Sequence, residues 1–121
     1  MIVYTSRTGN VRSIIQELSL PSSEIVKGLV LYQPYFLFTY TDGLGEIPKQ
    51  VDEFLLFQEN QQHIVGVIVT GNINFGEYFC KPAESISKKF NIPIIRKIDL
   101  RGTKEDIQAI KDQYKKYIEG E

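Results

Sequence analysis

A chain of 121 residues, 42% hydrophobic and 24% charged, has the proportions of one globular domain around a single buried core. Its 14 basic and 15 acidic side chains leave a net charge of -1, which gives no broad footprint for nucleic acid or an anionic membrane. The lone Cys80 excludes an internal disulfide framework and a CxxC motif, and with the lone His63 it makes a zinc or iron centre an unpromising reading. Redox chemistry in this chain would therefore need an organic cofactor or a partner. No apolar run approaches the roughly 20 residues that span a bilayer. The chain opens on MIVYTS without a basic leader and apolar segment, so a cytoplasmic location is expected.

Ile2 to Thr5 reads as a short opening strand that ends in the polar turn SRTGN. Val11, Ile14, Ile15 and Leu18 follow at i, i+3, i+4, i+7, one face of a helix that Pro21 and the next serines close. Ser23 to Val26 is a candidate second strand. Tyr35 to Thr41 (YFLFTYT) is apolar on both faces, as in a central strand covered on both sides. Tyr32, Tyr35 and Phe36 are accordingly expected in the core. DGLGEIP then makes a turn, and Val51, Phe54, Leu55 and Gln58 suggest the next helical face.

Ile64 to Thr70 is a second buried strand, after which GNINFGE forms another glycine-bearing loop. His63, before that strand, reads as a solvated or helix-capping residue. A helix over residues 82–90, a strand over 94–98 and a last helix over 104–118 complete the chain. The last helix sets Ile107, Ile110, Tyr114 and Tyr117 along one side. Alternating strands and helices argue for a parallel sheet covered on both faces. One link departs from that scheme. The eight residues between Val26 and Tyr35 are too few for a crossover helix, so a bare loop is expected there.

Ligands of open parallel sheets bind outside the carboxyl ends of the strands, which directs attention to the loops that follow them. The first is Ser6-Arg7-Thr8-Gly9-Asn10-Val11. Free N–H groups at a helix start favour an anion, and Gly9 lets the backbone curl around a phosphate. The absence of GxxxxGK[ST] and of GxGxxG points to a monophosphate rather than a triphosphate or dinucleotide. As a lone signal, the loop reads more readily as a hydroxyl-rich turn that caps a helix. The second is Thr39-Tyr40-Thr41-Asp42-Gly43-Leu44-Gly45, whose glycines let backbone approach a flat ring, or simply turn the chain. The third runs from Thr70 through Gly71, Asn72, Asn74, Phe75 and Gly76. Its amides suit the edge of a pyrimidine-like ring and Phe75 a ring face, while an Asx-turn is the plainer reading. Phosphate cradle, ring contact and amide-rich edge together match the parts of flavin mononucleotide (FMN), whose ring carries the chemistry itself.

SRTGNV at 6–11, TYTDGLGEIP at 39–48 and TGNINFGE at 70–77 resemble the NrdI family of flavodoxin-like proteins. NIPIIRKIDLRGT at 91–103 is similar to that family's last strand and turn, so the likeness covers nearly the whole chain. The resemblance implies an α/β three-layer sandwich with a five-stranded parallel sheet in the order 2-1-3-4-5. One crossover helix would be replaced by a loop, and residues 1–121 would form a single FMN-binding domain. It also implies a redox-active accessory flavoprotein rather than a conventional substrate-turnover enzyme. Its FMN, reduced by a separate reductant, would react with dioxygen to supply superoxide or a related oxidant. The implied partner is the class Ib ribonucleotide reductase small subunit, whose dimanganese-tyrosyl radical cofactor that oxidant helps assemble.

Carried over residue by residue, Ser6, Arg7, Thr8, Gly9, Asn10 and Val11 would hold the phosphate. Thr39, Tyr40, Thr41, Asp42, Gly43 and Gly45 would border the reactive side of the ring, with Gly43 the candidate for a redox-linked peptide flip. Gly71, Asn72, Asn74, Phe75 and Gly76 would contact the pyrimidine end and ring face. Many relatives carry arginine where this chain has Ile73; FMN binding is expected to survive that change. A short flavodoxin acting as a general one-electron carrier is the alternative, and the near-neutral charge is less acidic than charged docking favours. A flavin-free receiver-like domain would need an acidic cluster at the strand ends, which Asp42 alone does not supply.

Overall fold

A computed structural model of the chain describes residues 1–120. In chain order it contains β1 (Ile2–Tyr4), α1 (Asn10–Leu18), β2 (Ser22–Glu24), β3 (Tyr35–Tyr40), α2 (Lys49–Leu55), α3 (Asn60–His63), β4 (Ile64–Gly71), α4 (Lys81–Phe90), β5 (Ile94–Asp99) and α5 (Lys104–Tyr117). A run of tight 3-10 turns over Ile73–Tyr78 joins β4 to α4. The strands form one parallel sheet in the order β2-β1-β3-β4-β5, as the resemblance implied.

The double-sided apolar run explains why β3 is central. Tyr35, Phe36, Leu37 and Phe38 are all buried, and successive strand side chains enter opposite layers. Tyr35 and Leu37 join Val51, Phe54, Ala83 and Ile86 under α2 and α4. Phe36 and Phe38 join Ile14, Leu18, Ile107 and Ile110 under α1 and α5. Each such side chain contributes about 1.5–3 kcal/mol by leaving water. The helical period of α1 is realised as read, with Val11, Ile14, Ile15 and Leu18 all buried. Along α5, Ile107, Ile110 and Tyr114 are buried. Tyr117 is exposed near the helix end, a departure from the expected stripe.

Between β2 and β3 the chain crosses without a helix. Strand β2 is shorter and earlier than expected, which leaves Val26 exposed in the following loop. Tyr32, expected in the core, is 75% exposed, because the loop sends Leu31 inward instead. The buried amide of Asn60 ties this loop down. Its Oδ1 accepts from Leu31 N–H at 2.7 Å, and its Nδ2 donates to the carbonyls of Leu29 and Phe54, each at 2.9 Å. The Tyr35 hydroxyl donates to the Asn60 carbonyl at 2.7 Å, and burial pushes that phenol well above its ordinary pKa. Asn60 opens α3, a short helix absent from the sequence reading. The expected helical face through Gln58 ends instead at Leu55, and Gln58 takes a positive φ of 54° between the two helices.

Replacing Asn60 with alanine strands one N–H and two carbonyls. The variant is expected to lose about 3 kcal/mol, near one per orphaned group, in urea unfolding. A loss under about 1 kcal/mol would show that water satisfies them instead.

Candidate functional site

The turns that follow β1, β3, β4 and β5 meet at the carboxyl edge of the sheet. In the first, Gly9 has φ 93° and opens α1 without a side-chain cap. Among the described residues, no protein oxygen accepts from the N–H groups of Arg7, Thr8, Gly9, Asn10 or Val11. Ser6 Oγ takes only a long bond from Arg12 N–H at 3.4 Å. A Cβ at Gly9 would meet open space. Free donors, a helix start and an open approach form an anion cradle. The Val11 side chain is buried, so only its backbone can serve this site.

After β3, Asp42 and Glu46 face each other across a tight turn closed by Gly45 N–H and Glu46 N–H on the Asp42 carbonyl. Gly45 has φ 99°, and a Cβ there would lie 2.8 Å from that of Lys81, so only glycine fits comfortably. Arg7 reaches across from the first loop. Its guanidinium bonds Asp42 at 2.6 Å and lies 4.8 Å from the centre of the Tyr40 ring. Both charged groups are substantially exposed, so this pair aligns the two loops and adds little stability. The Tyr40 hydroxyl is held from behind by Gln50 at 3.0 Å.

In the loop after β4, Asn72 Oδ1 accepts from Asn74 N–H at 2.9 Å, the Asx-turn anticipated as the plainer reading. Asp99, from the end of β5, accepts from Ile73 N–H at 2.9 Å and steadies the loop. Phe75 is 64% exposed and Ile73 59%, large apolar side chains facing solvent. Gly76 takes φ 57°, ψ -120°, kinking the 3-10 run. At Gly71 a Cβ would come 3.0 Å from both Cys80 N and Thr41 Oγ1, so glycine lets these segments close together.

These turns enclose a cleft of about 130 Å³. It brings together Arg7, Thr8, Asn10, Tyr40, Thr41, Gly43, Gly71, Asn72 and Phe75 from the sequence-predicted set. Ser6, Gly9, Val11, Asp42, Gly45, Asn74 and Gly76 lie in the same loops but do not line it. Thr39 is farthest from the expectation. It is fully buried in β3, and its hydroxyl lacks a hydrogen-bond partner. Thr70, named only as the start of the third loop, and Leu100, which was missed, also line the cleft. Leu100 was discoverable, since it directly follows β5 and so lies at the same sheet edge as the other loops. A larger groove of about 560 Å³ lies under the bare loop, between Ile25–Leu29 and Phe54 and Phe57. Its lining is mostly apolar, from Ile25, Val26, Leu29, Phe54 and Phe57, so the smaller cleft is the better candidate for a charged ligand.

The profile of the family described as "NrdI Flavodoxin like" matches residues 2–112. The chain belongs to that family. Protein NrdI of Bacillus licheniformis is 35% identical over 118 residues, 97% of this chain and 88% of that protein. A solved short-chain flavodoxin associated with a bacterial microcompartment superposes with a TM-score of 0.73 at 22% identity. It covers 98% of this chain and 95% of its own, which establishes the shared fold. Membership of a flavodoxin-like NrdI family implies a flavin cofactor. The open cradle, the glycine-lined turn and the exposed Phe75 suit one.

Other candidate groups are accounted for structurally. Cys80 is buried, its Sγ 3.2 Å from the Val69 carbonyl, and burial pushes the thiol up to about 11. Of the basic residues Lys88, Lys89, Arg96, Lys97 and Arg101 late in the chain, three are paired: Lys89 with Asp52, Arg96 with Asp106, and Lys97 with Glu84. His63 is the last residue of α3, where a basic side chain suits the negative end of a helix. Among the described residues, no helix is long and apolar enough to cross a membrane, and no three His, Cys, Asp or Glu side chains are grouped to hold a metal ion.

Two outcomes follow. Thr39→Val removes an unpartnered buried hydroxyl and is expected to raise stability by about 1 kcal/mol in urea titration. A drop would reveal a partner for that hydroxyl. Cys80 is expected to resist aromatic disulfide reagents at pH 8 in the native protein and react promptly in denaturant. Rapid native labelling would contradict its burial.

Proposed function

We propose that this chain binds FMN in the cleft and acts as the oxidant-generating activase of a class Ib ribonucleotide reductase small subunit. The observation that carries the reading is the set of unpartnered N–H groups from Arg7 to Val11 beside a glycine-bearing cleft, in a chain of the NrdI family. Those N–H groups, with the side chains of Ser6, Thr8 and Asn10, bind the phosphate at the positive end of α1. Tyr40, Thr41, Asp42, Gly43 and Gly45 border the reactive side of the ring, with Thr39 packed behind them. Gly71, Asn72, Asn74, Phe75 and Gly76 meet its pyrimidine end and face. Gly43, at φ 45°, permits a peptide rotation linked to flavin reduction.

The chemistry supplied on binding is transfer of electrons from reduced FMN to dioxygen, giving superoxide or a related oxidant. The protein's own work is to hold the phosphate, orient the ring and leave an edge open. Leu44, Ile73, Phe75 and Leu100, exposed on three of the turns, suit a partner subunit that covers the cleft and receives the oxidant for its dimanganese-tyrosyl radical site. The electrons are taken from a separate reductant. Similarity of fold to a short-chain flavodoxin supports the second reading, a general one-electron carrier.

Absorption spectroscopy through anaerobic reduction and readmission of air separates these readings. Bound FMN with fast reoxidation supports the activase, and slow reoxidation the carrier. A chain that takes up no FMN sinks both. Gly9→Asp is expected to weaken FMN binding by about a hundredfold or more, because bringing like charges together costs several kcal/mol. Gly9→Ala carries the strain of φ 93° without the charge and serves as the control. Unchanged affinity in the aspartate variant would remove the cradle.

A further inference from the structure

The turn after β3 holds one of its peptides by a side chain. Gly45 N–H and Glu46 N–H donate to the Asp42 carbonyl at 2.8 and 2.9 Å. Leu44 N–H instead donates to Oε2 of Glu46 at 2.7 Å. That N–H belongs to the Gly43–Leu44 peptide. A Cβ built on Gly43 would strike the same carboxylate, so Gly43 and Glu46 are fitted against each other. We infer that Glu46 is a positioning residue whose carboxylate clasps the Gly43–Leu44 peptide in one orientation and thereby favours oxidised over reduced flavin. The inference rests on the proposed function, in which that peptide rotates on reduction.

Planarity of the peptide gives the clasp its leverage. While Leu44 N–H points at Glu46, the Gly43 carbonyl points the opposite way. Turning the peptide by about half a revolution breaks the bond to Glu46. It also moves φ of Leu44, now outside the left-handed range, toward values that side chains rarely adopt. Gly43 tolerates the change, but Leu44 and Glu46 oppose it. Clasp and charge are separable, because glutamine keeps an acceptor oxygen and loses the charge.

The test compares the full native chain with Glu46→Ala and Glu46→Gln. In the flavin-free protein, amide exchange at Leu44 is expected to speed up at least about fivefold in the alanine variant and stay near native in the glutamine variant. Anaerobic titration with oxidised and with reduced FMN then gives the ratio of affinities. Alanine is expected to shift that ratio about tenfold toward reduced flavin, ~30 mV positive for a two-electron couple. Glutamine is expected to remain within about threefold of native. A glutamine variant as displaced as alanine would overturn the clasp and leave charge alone. An unchanged ratio in the alanine variant would overturn the inference while FMN binding stands. If the native chain itself binds no FMN, the proposed function fails and the inference falls with it.

Discussion

The buried amide of Asn60 is the constraint on which the order of the sheet depends. A parallel connection must return the chain across a sheet face, and a helix ordinarily does so while satisfying its own backbone. Here the return is a bare loop, whose buried polar groups would be costly without partners. Asn60 takes the Leu31 N–H and gives both amide protons to carbonyls, one from the loop and one from α2. Leu31 can then fill the core beside Val3 and Tyr35 where a helix would otherwise pack. With the loop fixed, β3 pairs in register with β1, Ile2 beside Phe36 and Tyr4 beside Phe38. That register sets the first two cleft turns side by side, close enough for Arg7 to reach Asp42.

Frame and cleft differ in how firmly they are held. The frame rests on fully buried side chains of β3 and β4 and on a satisfied buried amide. The cleft rests largely on exposed bonds such as Arg7 to Asp42 and Asn74 to Asn72. Each is worth little alone in water, and each can be exchanged for a ligand contact at small cost. A stiff sheet thus places turns whose final conformation a ligand can still choose. The free N–H groups ahead of α1 are the exception, because no rearrangement is needed before they meet an anion.

Much of this was legible in the sequence, for identifiable reasons. Double-sided burial of β3 follows from a six-residue apolar run, and the helical period of α1 from four spaced aliphatics. The donor-rich turn ahead of α1 was visible because hydroxyls and a glycine stand between a strand and a helix there, although the same residues also suit a helix cap. Asn60 was invisible, since one amide inside the polar run QENQQ gives no periodic signal. Its burial is a tertiary outcome. Glu46 escaped for the same reason: its partner, Leu44 N–H, appears only once the turn has formed. Thr39 erred the other way. Adjacency to a glycine-bearing loop suggested a ring contact, yet strand pairing with Val69 draws it into the interior. Sequence proximity to a site, then, fixes the loop and leaves the direction of each side chain to the pleat.

Charge and apolarity divide the surface in a way that bears on recognition. Lys89, Arg96 and Lys97 are engaged by Asp52, Asp106 and Glu84 on neighbouring elements, while Lys88 and Arg101 are exposed and form no ion pair among the described residues. For Asp106, burial alone would raise the carboxyl, but bonds from Arg96 and Thr103 outweigh it and hold it below its ordinary value. Its charge is therefore kept at neutral pH, and with it the capping box that starts α5. The cleft rim is of another kind, with exposed Leu44, Ile73, Phe75 and Leu100 around a single paired arginine. Ile73 in particular contributes contact area and no charge. A partner that covers this rim gains mostly from apolar burial, which salt screens little. Complementary shape, more than complementary charge, then decides which partner fits.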